Sequence, residues 1–280
     1  MLDLSPIRSL DARGLKLPIG PRTLVMGIIN VTPDSFSDGG IFRTPNEAVA
    51  AGLQLVAEGA DIIDVGGEST RPGHTPVGVD EEIERTSPVV EKLAAKTSVP
   101  ISIDTYKARV AERALALGAH IVNDVWGLAR DQDMASVVAA HDAAVVIMHN
   151  REIANPEIDI LADIRDFFSH ALERAAAAGI HANRIVLDPG IGFGKTFEQN
   201  LAVLSCLGDI VEGFDFPLLL GASRKSFIGR LVPSEPRERL PGTIAANVIG
   251  ALAGAAIVRV HDVAAHVQAL RIVDAIRRAA

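Results

Sequence analysis

The sequence predicts an α/β fold, a single (β/α)8 TIM barrel, on three observations. Short runs rich in Val, Ile and Leu alternate with longer, alanine-rich amphipathic stretches along the 280 residues. The short runs lack polar alternation, as strands buried on both faces require. Eight of them are each followed by a helical stretch, and no Pro/Gly/Ser-rich linker or composition shift divides the series. A doubly wound open sheet has the same periodicity and is the competing architecture, because periodicity does not report closure.

In chain order, the strands are expected at Leu24–Asn30, Asp61–Gly67, Val99–Thr105, Ile121–Val125, Ala144–His149, Arg184–Gly190, Pro217–Ser223 and Ala256–His261. Helices are expected near 46–58, 80–96, 107–117, 131–141, 160–179, 196–212, 238–254 and 262–279. Thr44-Pro45-Asn46-Glu47 carries a cap and a first-turn proline for the first helix, and Gly118 and Gly179 follow the third and fifth as stop signals. Residues 1–20 are expected to form an N-terminal extension covering the barrel bottom, and residues 21–280 the barrel.

Composition narrows the function classes. Hydrophobic residues are 48% and charged residues 22%, ordinary globular usage. Lys and Arg number 27 against 35 Asp and Glu, a net charge of −8. That argues against broad binding to nucleic acid or anionic lipid, both of which need a basic surface, and leaves room for a local cationic pocket. Cys206 is the sole cysteine, so neither an intrachain disulfide nor a cysteine-rich metal site can form. The start, Met1-Leu2-Asp3-Leu4-Ser5-Pro6, lacks a signal-peptide pattern, and the most membrane-like segment, Val248 to Val258, is too short to span a bilayer. A cytoplasmic protein is the expectation.

In a parallel barrel the chemistry gathers where strands end. Here the strand ends carry Asn30, Asp64 with Glu68, Asp104, Asn123 with Asp124, His149, Asp188, Ser223 with Lys225, and Arg259 with His261. Any one of these can be a turn or helix cap. Capping, however, gives no reason for Lys225, Arg259 and His261 together. Asp104, Asn123 and Asp188 suit a flat heterocycle with N–H groups, whereas the three cationic side chains suit phosphate. The combination points to group transfer with a phosphorylated leaving group.

The glycine motifs do not support a nucleotide loop. Asp188-Pro189-Gly190-Ile191-Gly192-Phe193-Gly194-Lys195-Thr196 has Pro189 where a Walker A loop needs glycine, and Lys195 where a dinucleotide fingerprint does. Gly221-Ala222-Ser223-Arg224-Lys225 lacks the last glycine of a hydrolase elbow. The eight histidines show no metal spacing, so zinc is not expected. Two long loops, 31–40 and 68–76, are rich in Gly, Pro, Ser and Thr and are candidate lids over the mouth.

The motifs resemble those of the dihydropteroate synthases, the folate-pathway enzymes targeted by sulfonamides. Asn30-Val31-Thr32-Pro33-Asp34-Ser35-Phe36-Ser37-Asp38-Gly39-Gly40 is similar to the family's first signature, and Asp61-Ile62-Ile63-Asp64-Val65-Gly66-Gly67-Glu68-Ser69-Thr70-Arg71-Pro72-Gly73 to its second. Ile103-Asp104-Thr105, Val122-Asn123-Asp124, the segment from Asp188 to Lys195, Ser223-Arg224-Lys225-Ser226 and Arg259-Val260-His261-Asp262 follow in the family's order. The resemblance implies a transferase on a (β/α)8 barrel that joins 6-hydroxymethyl-7,8-dihydropterin diphosphate to p-aminobenzoate and releases pyrophosphate. By matching position it places Asp104, Asn123, Asp188, Phe193 and Lys225 on the pterin. Asn30, Arg259 and His261 fall on the diphosphate, and Asn30 also on Mg2+. Phe36, Thr70, Arg71, Phe193 and Ser223 fall around p-aminobenzoate, and Asp38, Lys225, Arg259 and His261 are implied in catalysis. It further implies sulfonamide inhibition and a homodimer through the later helices. One stretch departs from the family: after Ile147-Met148-His149, where a Met and a Gly-containing turn are usual, the chain has Asn150-Arg151-Glu152-Ile153-Ala154-Asn155-Pro156.

Three other functions remain alternatives at this level. A pterin-binding methyltransferase barrel is not expected to keep both the Ser69-Thr70-Arg71-Pro72-Gly73 loop and the Ser223-Arg224-Lys225 segment. A non-catalytic pterin-binding paralogue is expected to lose loop or anion residues. A Schiff-base aldolase centred on Lys225 gives no reason for Asn30.

Overall fold

A run such as Leu24-Val25-Met26-Gly27-Ile28-Ile29-Asn30 carries apolar side chains on both faces of an extended chain, so it needs cover on both. The computed structural model describes residues 9–31, 44–69 and 76–279. It opens with an antiparallel hairpin, β1 (Ser9–Ala12) and β2 (Leu15–Pro18). Eight strands follow: β3 (Leu24–Asn30), β4 (Ile62–Gly66), β5 (Ile101–Asp104), β6 (Ile121–Asp124), β7 (Ala144–Met148), β8 (Ile185–Asp188), β9 (Leu219–Leu220) and β10 (Ile257–Val260). Among them run helices α1 (Pro45–Ala57), α2 (Val79–Ala94), α3 (Ala108–Ala116), α4 (Met134–Ala140), α5 (Ile160–Ala177), α6 (Phe197–Ser205), α7 (Leu207–Phe214), α8 (Ser226–Leu231), α9 (Leu240–Leu252) and α10 (Val263–Ala279).

The eight strands pair in the order β8-β7-β6-β5-β4-β3-β10-β9, all parallel. A parallel bridge between Leu187 and Leu218, with the Leu187 N–H donating to the Pro217 carbonyl at 2.9 Å, joins the two ends of that series. The sheet is therefore a barrel, and the open-sheet alternative falls.

Period-two alternation sorts the apolar residues into two cores. Val25, Ile29, Ile63, Val65, Ile103, Val145, Ile147 and Val258 face outward and pack beneath the helices. Leu24, Met26, Ile62, Ile121, Ala144, Val146, Val186, Leu219 and Ile257 face inward, and there they meet Leu10 and Ala12 of the hairpin. Both hairpin residues are fully buried. Arg13 in its turn donates to the carbonyls of Leu115 and Ala119, each at 2.7 Å, so the hairpin lies against the end of α3.

Three elements differ from expectation for local reasons. The stretch 196–212 is two helices, α6 and α7, because Cys206 leaves helical geometry and the bend drops Leu207 and Ile210 into the core. Strand Pro217–Ser223 shortens to Leu219–Leu220, since Ser223 turns away to His261 and Arg224 adopts a left-handed conformation (φ 57°). The six residues of α8, which bury Phe227 and Ile228, are too few to display a helical period in sequence. The first helix starts as expected, with the Thr44 hydroxyl accepting from the Glu47 N–H at 3.3 Å. No helix among the described residues is long and apolar enough to cross a membrane.

Candidate active site

Two residues above the apolar layer, the same inward alternation turns polar. It leads from Ile62 to Asp64, from Ser102 to Asp104, from Ile121 to Asn123, from Val186 to Asp188 and from Ile257 to Arg259. Asp64 is fully buried and Asp104, Asn123 and Asp188 nearly so. At this level Arg259 is the hub. Its Nε donates to Asp64 Oδ2 and its Nη2 to Asp104 Oδ2, both at 2.6 Å. Asn123 donates its amide to the same Asp64 oxygen at 3.2 Å. A carboxylate can only accept, so this bond turns the amide N–H group toward Asp64 and leaves the Asn123 carbonyl oxygen as an acceptor.

Burial drives the Asp104 carboxyl up to about 7, with Arg259 pulling the other way and Asp64 adding repulsion. For Arg259, burial works against the charge, but Asp64 and Asp104 outweigh it and raise the pKa. Asp64 Oδ1, Asp104 Oδ1 and the Ser102 hydroxyl are buried without a hydrogen-bond partner among the described residues. Buried acceptors of this kind are costly unless a donor meets them.

The opposite wall is built by β8, β9 and the loop 189–194. Asp188 Oδ1 caps that loop by accepting from the Gly190 N–H at 2.7 Å, and burial raises its carboxyl pKa against the pull of Lys225. Lys225 donates to the Ile191 carbonyl, and its Nζ lies 4.4 Å from the centre of the Phe193 ring. Burial lowers the Lys225 ammonium to about 8, the nearby Asp188 charge opposing the shift. A Cβ on Gly221 would sit 3.6 Å from Asp188 Oδ2 and 3.9 Å from Lys225 Nζ, so both groups converge on one point of the wall. The loop lies hard against the segment that follows β7: with φ of 68° and 54°, Gly190 and Gly194 approach the backbone of His149 and Arg151 so closely that a Cβ at either would collide with a carbonyl oxygen.

Beside this wall the Ser223 hydroxyl pairs with His261 Nδ1 at 2.9 Å. Neighbouring Arg224 turns outward to a two-pronged pairing with Asp262 at 2.6 and 3.1 Å. Across the mouth, Asn30 Oδ1 and Asp104 Oδ2 each lie 3.6 Å from where a Cβ on Gly66 would sit. The structure thus brings Asn30, Asp104, Asn123, Asp188, Phe193, Ser223, Lys225, Arg259 and His261 to one end of the barrel. Phe36, Asp38, Thr70 and Arg71 lie outside the described residues, as does most of both candidate lids. No three His, Cys, Asp or Glu side chains gather as a metal cage among the described residues.

Some strand-end residues cap rather than line. Asp124 accepts from the backbone N–H of Trp126 at 2.8 Å and Leu128 at 2.7 Å, fixing a turn. Glu68 and Glu82 grip Lys107, which also donates to the Val77 carbonyl at 2.8 Å. His149 lies under the 189–194 loop, between Lys195 Nζ at 2.7 Å and Asp163 Oδ2 at 2.9 Å. Arg151 completes this group at 2.7 Å from Asp163 Oδ1. Two residues the sequence leaves without a role are therefore central. Asp64 could be found as the one acid inside an apolar strand with the inward parity of Ile62. Lys195 is disguised by its place in a failed nucleotide motif.

Burial, and then the Lys195 charge, lower the His149 imidazole to about 4. The unfolded chain protonates it near 6.5, so between pH 6.5 and 4 the unfolded state binds more protons and stability falls as pH falls. Chemical denaturation of wild type and His149→Gln at pH 7 and pH 5 should show the wild type losing about 2 kcal/mol more than the variant over that interval. Parallel losses would contradict a buried neutral imidazole.

A barrel whose mouth joins buried acceptors for a ring to cations for an anion defines a pterin-binding enzyme, and the profile of the pterin binding enzyme family matches residues 26–261. The dihydropteroate synthase of Bacillus subtilis is 48% identical over 254 residues, covering 91% of this chain and 88% of that protein. The crystal structure of dihydropteroate synthase from Clostridium difficile in the presence of pteroic acid superposes with a TM-score of 0.90 at 54% identity, covering 94% and 99% of the two chains. That from Xanthomonas albilineans with 4-aminobenzoic acid gives 0.91 at 45% identity, covering 96% and 98%. The chain belongs to the dihydropteroate synthase family.

Proposed function

We infer that the chain condenses 6-hydroxymethyl-7,8-dihydropterin diphosphate with p-aminobenzoate, giving 7,8-dihydropteroate and pyrophosphate. The observation that carries this is the inward layer in which Asp104, Asn123 and Asp188 surround Arg259 and Lys225 at one barrel mouth. A reduced pterin presents N–H and NH2 donors along one edge. Asp104 Oδ1, the Asn123 carbonyl and Asp188 offer acceptors of matching kind, with Lys225 as the donor among them. His261 and Arg259 face the anion side. The experiment that tests the reading is formation of dihydropteroate from the two substrates by the purified protein.

The C–O bond from the pterin methylene to the diphosphate breaks first, leaving a cation delocalised into the electron-rich ring. The aniline nitrogen then forms the C–N bond and loses its proton to water. Buried carboxylates around the ring stabilise the cation, and Arg259 and His261 stabilise the departing charge. The weak aniline nucleophile needs no strong base, so positioning and charge placement supply the rate. We assign Phe36, Thr70, Arg71, Phe193 and Ser223 to p-aminobenzoate and Asp38 to catalysis, as the family motifs imply. A sulfonamide inhibits by taking the p-aminobenzoate place.

Asn30 would hold Mg2+ in this reading, its amide oxygen being a hard neutral donor of the kind that ion accepts. When bound, the ion would neutralise charge on the departing diphosphate.

The same reading makes the protein a cytoplasmic homodimer. Ile249 and Leu252 on α9 and Ile272 and Ile276 on α10 are 54–62% exposed, and the two helices pack side by side. An apolar surface of this kind marks an interface between copies. Ile249→Glu combined with Ile272→Glu is expected to give a folded monomer in sedimentation velocity; a dimer that survives both would place the interface elsewhere.

A further inference from the structure

We infer that Lys195 is a positioning residue that sets Phe193, and so the p-aminobenzoate wall, by drawing both ends of the 190–194 loop onto one ammonium. The inference rests on the reading of Phe193 given above. Lys195 is 9% exposed. Its Nζ donates to the Gly190 carbonyl at 2.9 Å, the Phe193 carbonyl at 3.2 Å and His149 Nδ1 at 2.7 Å. The His149 carbonyl lies 3.5 Å from the same nitrogen, so four acceptors of fixed position surround it. The imidazole acceptor is itself held: with Nδ1 accepting, His149 carries its proton on Nε2 and gives it to Asp163, whose other oxygen is held by Arg151.

The loop has other anchors, but none grips the Phe193 backbone itself. Asp188 holds the Gly190 N–H at 2.7 Å, and Asn200 holds the Gly192 N–H at 2.6 Å and donates to the Lys195 carbonyl at 3.4 Å, on either side of Phe193. Phe193 itself is tied by its own turn, through its N–H to the Gly190 carbonyl at 3.1 Å, and by Lys195. Removing the ammonium therefore leaves the Phe193 backbone held by its own turn alone, while Asp188 still holds the Gly190 end. The ring then loses its fixed place 4.4 Å from Lys225 Nζ.

The test compares wild type, Phe193→Ala, Lys195→Met and the double variant. Steady-state kinetics gives KM for p-aminobenzoate, and calorimetry gives Kd for the dihydropterin diphosphate. Lys195→Met should raise the p-aminobenzoate KM about tenfold and leave the pterin Kd within about threefold, and adding it to Phe193→Ala should raise KM no further, as expected of residues acting through one contact. An unchanged KM in Lys195→Met, equal losses for both substrates, or multiplying effects in the double variant would overturn the inference. If Phe193→Ala itself leaves KM unchanged, the wall is misplaced and the inference falls with it. A Phe193 effect without a Lys195 effect removes only Lys195. Should Lys195→Met not fold, Asp163→Asn at the partly exposed end of the relay should give the same selective rise at about threefold, and no rise would overturn the inference equally.

Discussion

Lys225→Ala is expected to lower kcat/KM by about a thousandfold or more, a loss of about 4 kcal/mol in transition-state stabilisation. The ammonium lies between the Ile191 carbonyl, the Phe193 ring and Asp188, so its removal takes away the donor proposed for the pterin edge and the charge that balances a buried carboxylate. Lys225→Arg should not rescue: a Cβ on Gly192 would come within 2.9 Å of Lys225 Cδ, which shows how little room a guanidinium would find. Because burial brings the ammonium to about 8, kcat/KM of the wild type should fall above that pH as the proton is lost. Steady-state kinetics beside thermal melts checks both points. Near-normal turnover in a folded Lys225→Ala protein would sink the pterin assignment.

Arg259→Met should have the largest effect on stability. The substitution leaves Asp64, fully buried, and Asp104, 7% exposed, facing each other with no guanidinium between them. Breaking a buried pair from one side costs about 3–5 kcal/mol. Without Arg259 the folded-state pKa of Asp104, already raised by burial, rises further above the unfolded value near 3.9. The folded protein then holds protons that the unfolded chain releases, so stability is kept at low pH and lost as pH rises through the folded-state pKa. Denaturation should therefore show a gap between wild type and variant that is wide at pH 8 and narrow at pH 5. Binding should separate too, with the diphosphate substrate weakened far more than free pterin. A gap independent of pH, or equal losses for both ligands, would contradict the hub role.

The barrel is legible in the sequence because strands buried on both faces must be continuous in Val, Ile and Leu, a local property of runs such as Ile185-Val186-Leu187. Its mouth is legible because in several strands parity carries an apolar inward position to a polar one two residues later, as from Ile121 to Asn123. What escapes is contact across the chain. Nothing near Asp64 announces Arg259, 195 residues away, and nothing near His149 announces Lys195. Local chemistry also misleads: Asp124 looks like a site residue beside Asn123 but caps the turn at Trp126 and Leu128. The break at Cys206 and the short α8 follow from where Leu207 and Phe227 find cover, which local periodicity does not show.

Pyrophosphate release by the purified protein tests the central claim most directly. With the dihydropterin diphosphate, p-aminobenzoate and Mg2+ all present, release should be continuous and matched one for one by dihydropteroate. Omitting p-aminobenzoate should stop sustained turnover, and chelating Mg2+ should lower the rate sharply. Release that proceeds equally without p-aminobenzoate, or no release with all three present, would contradict the account.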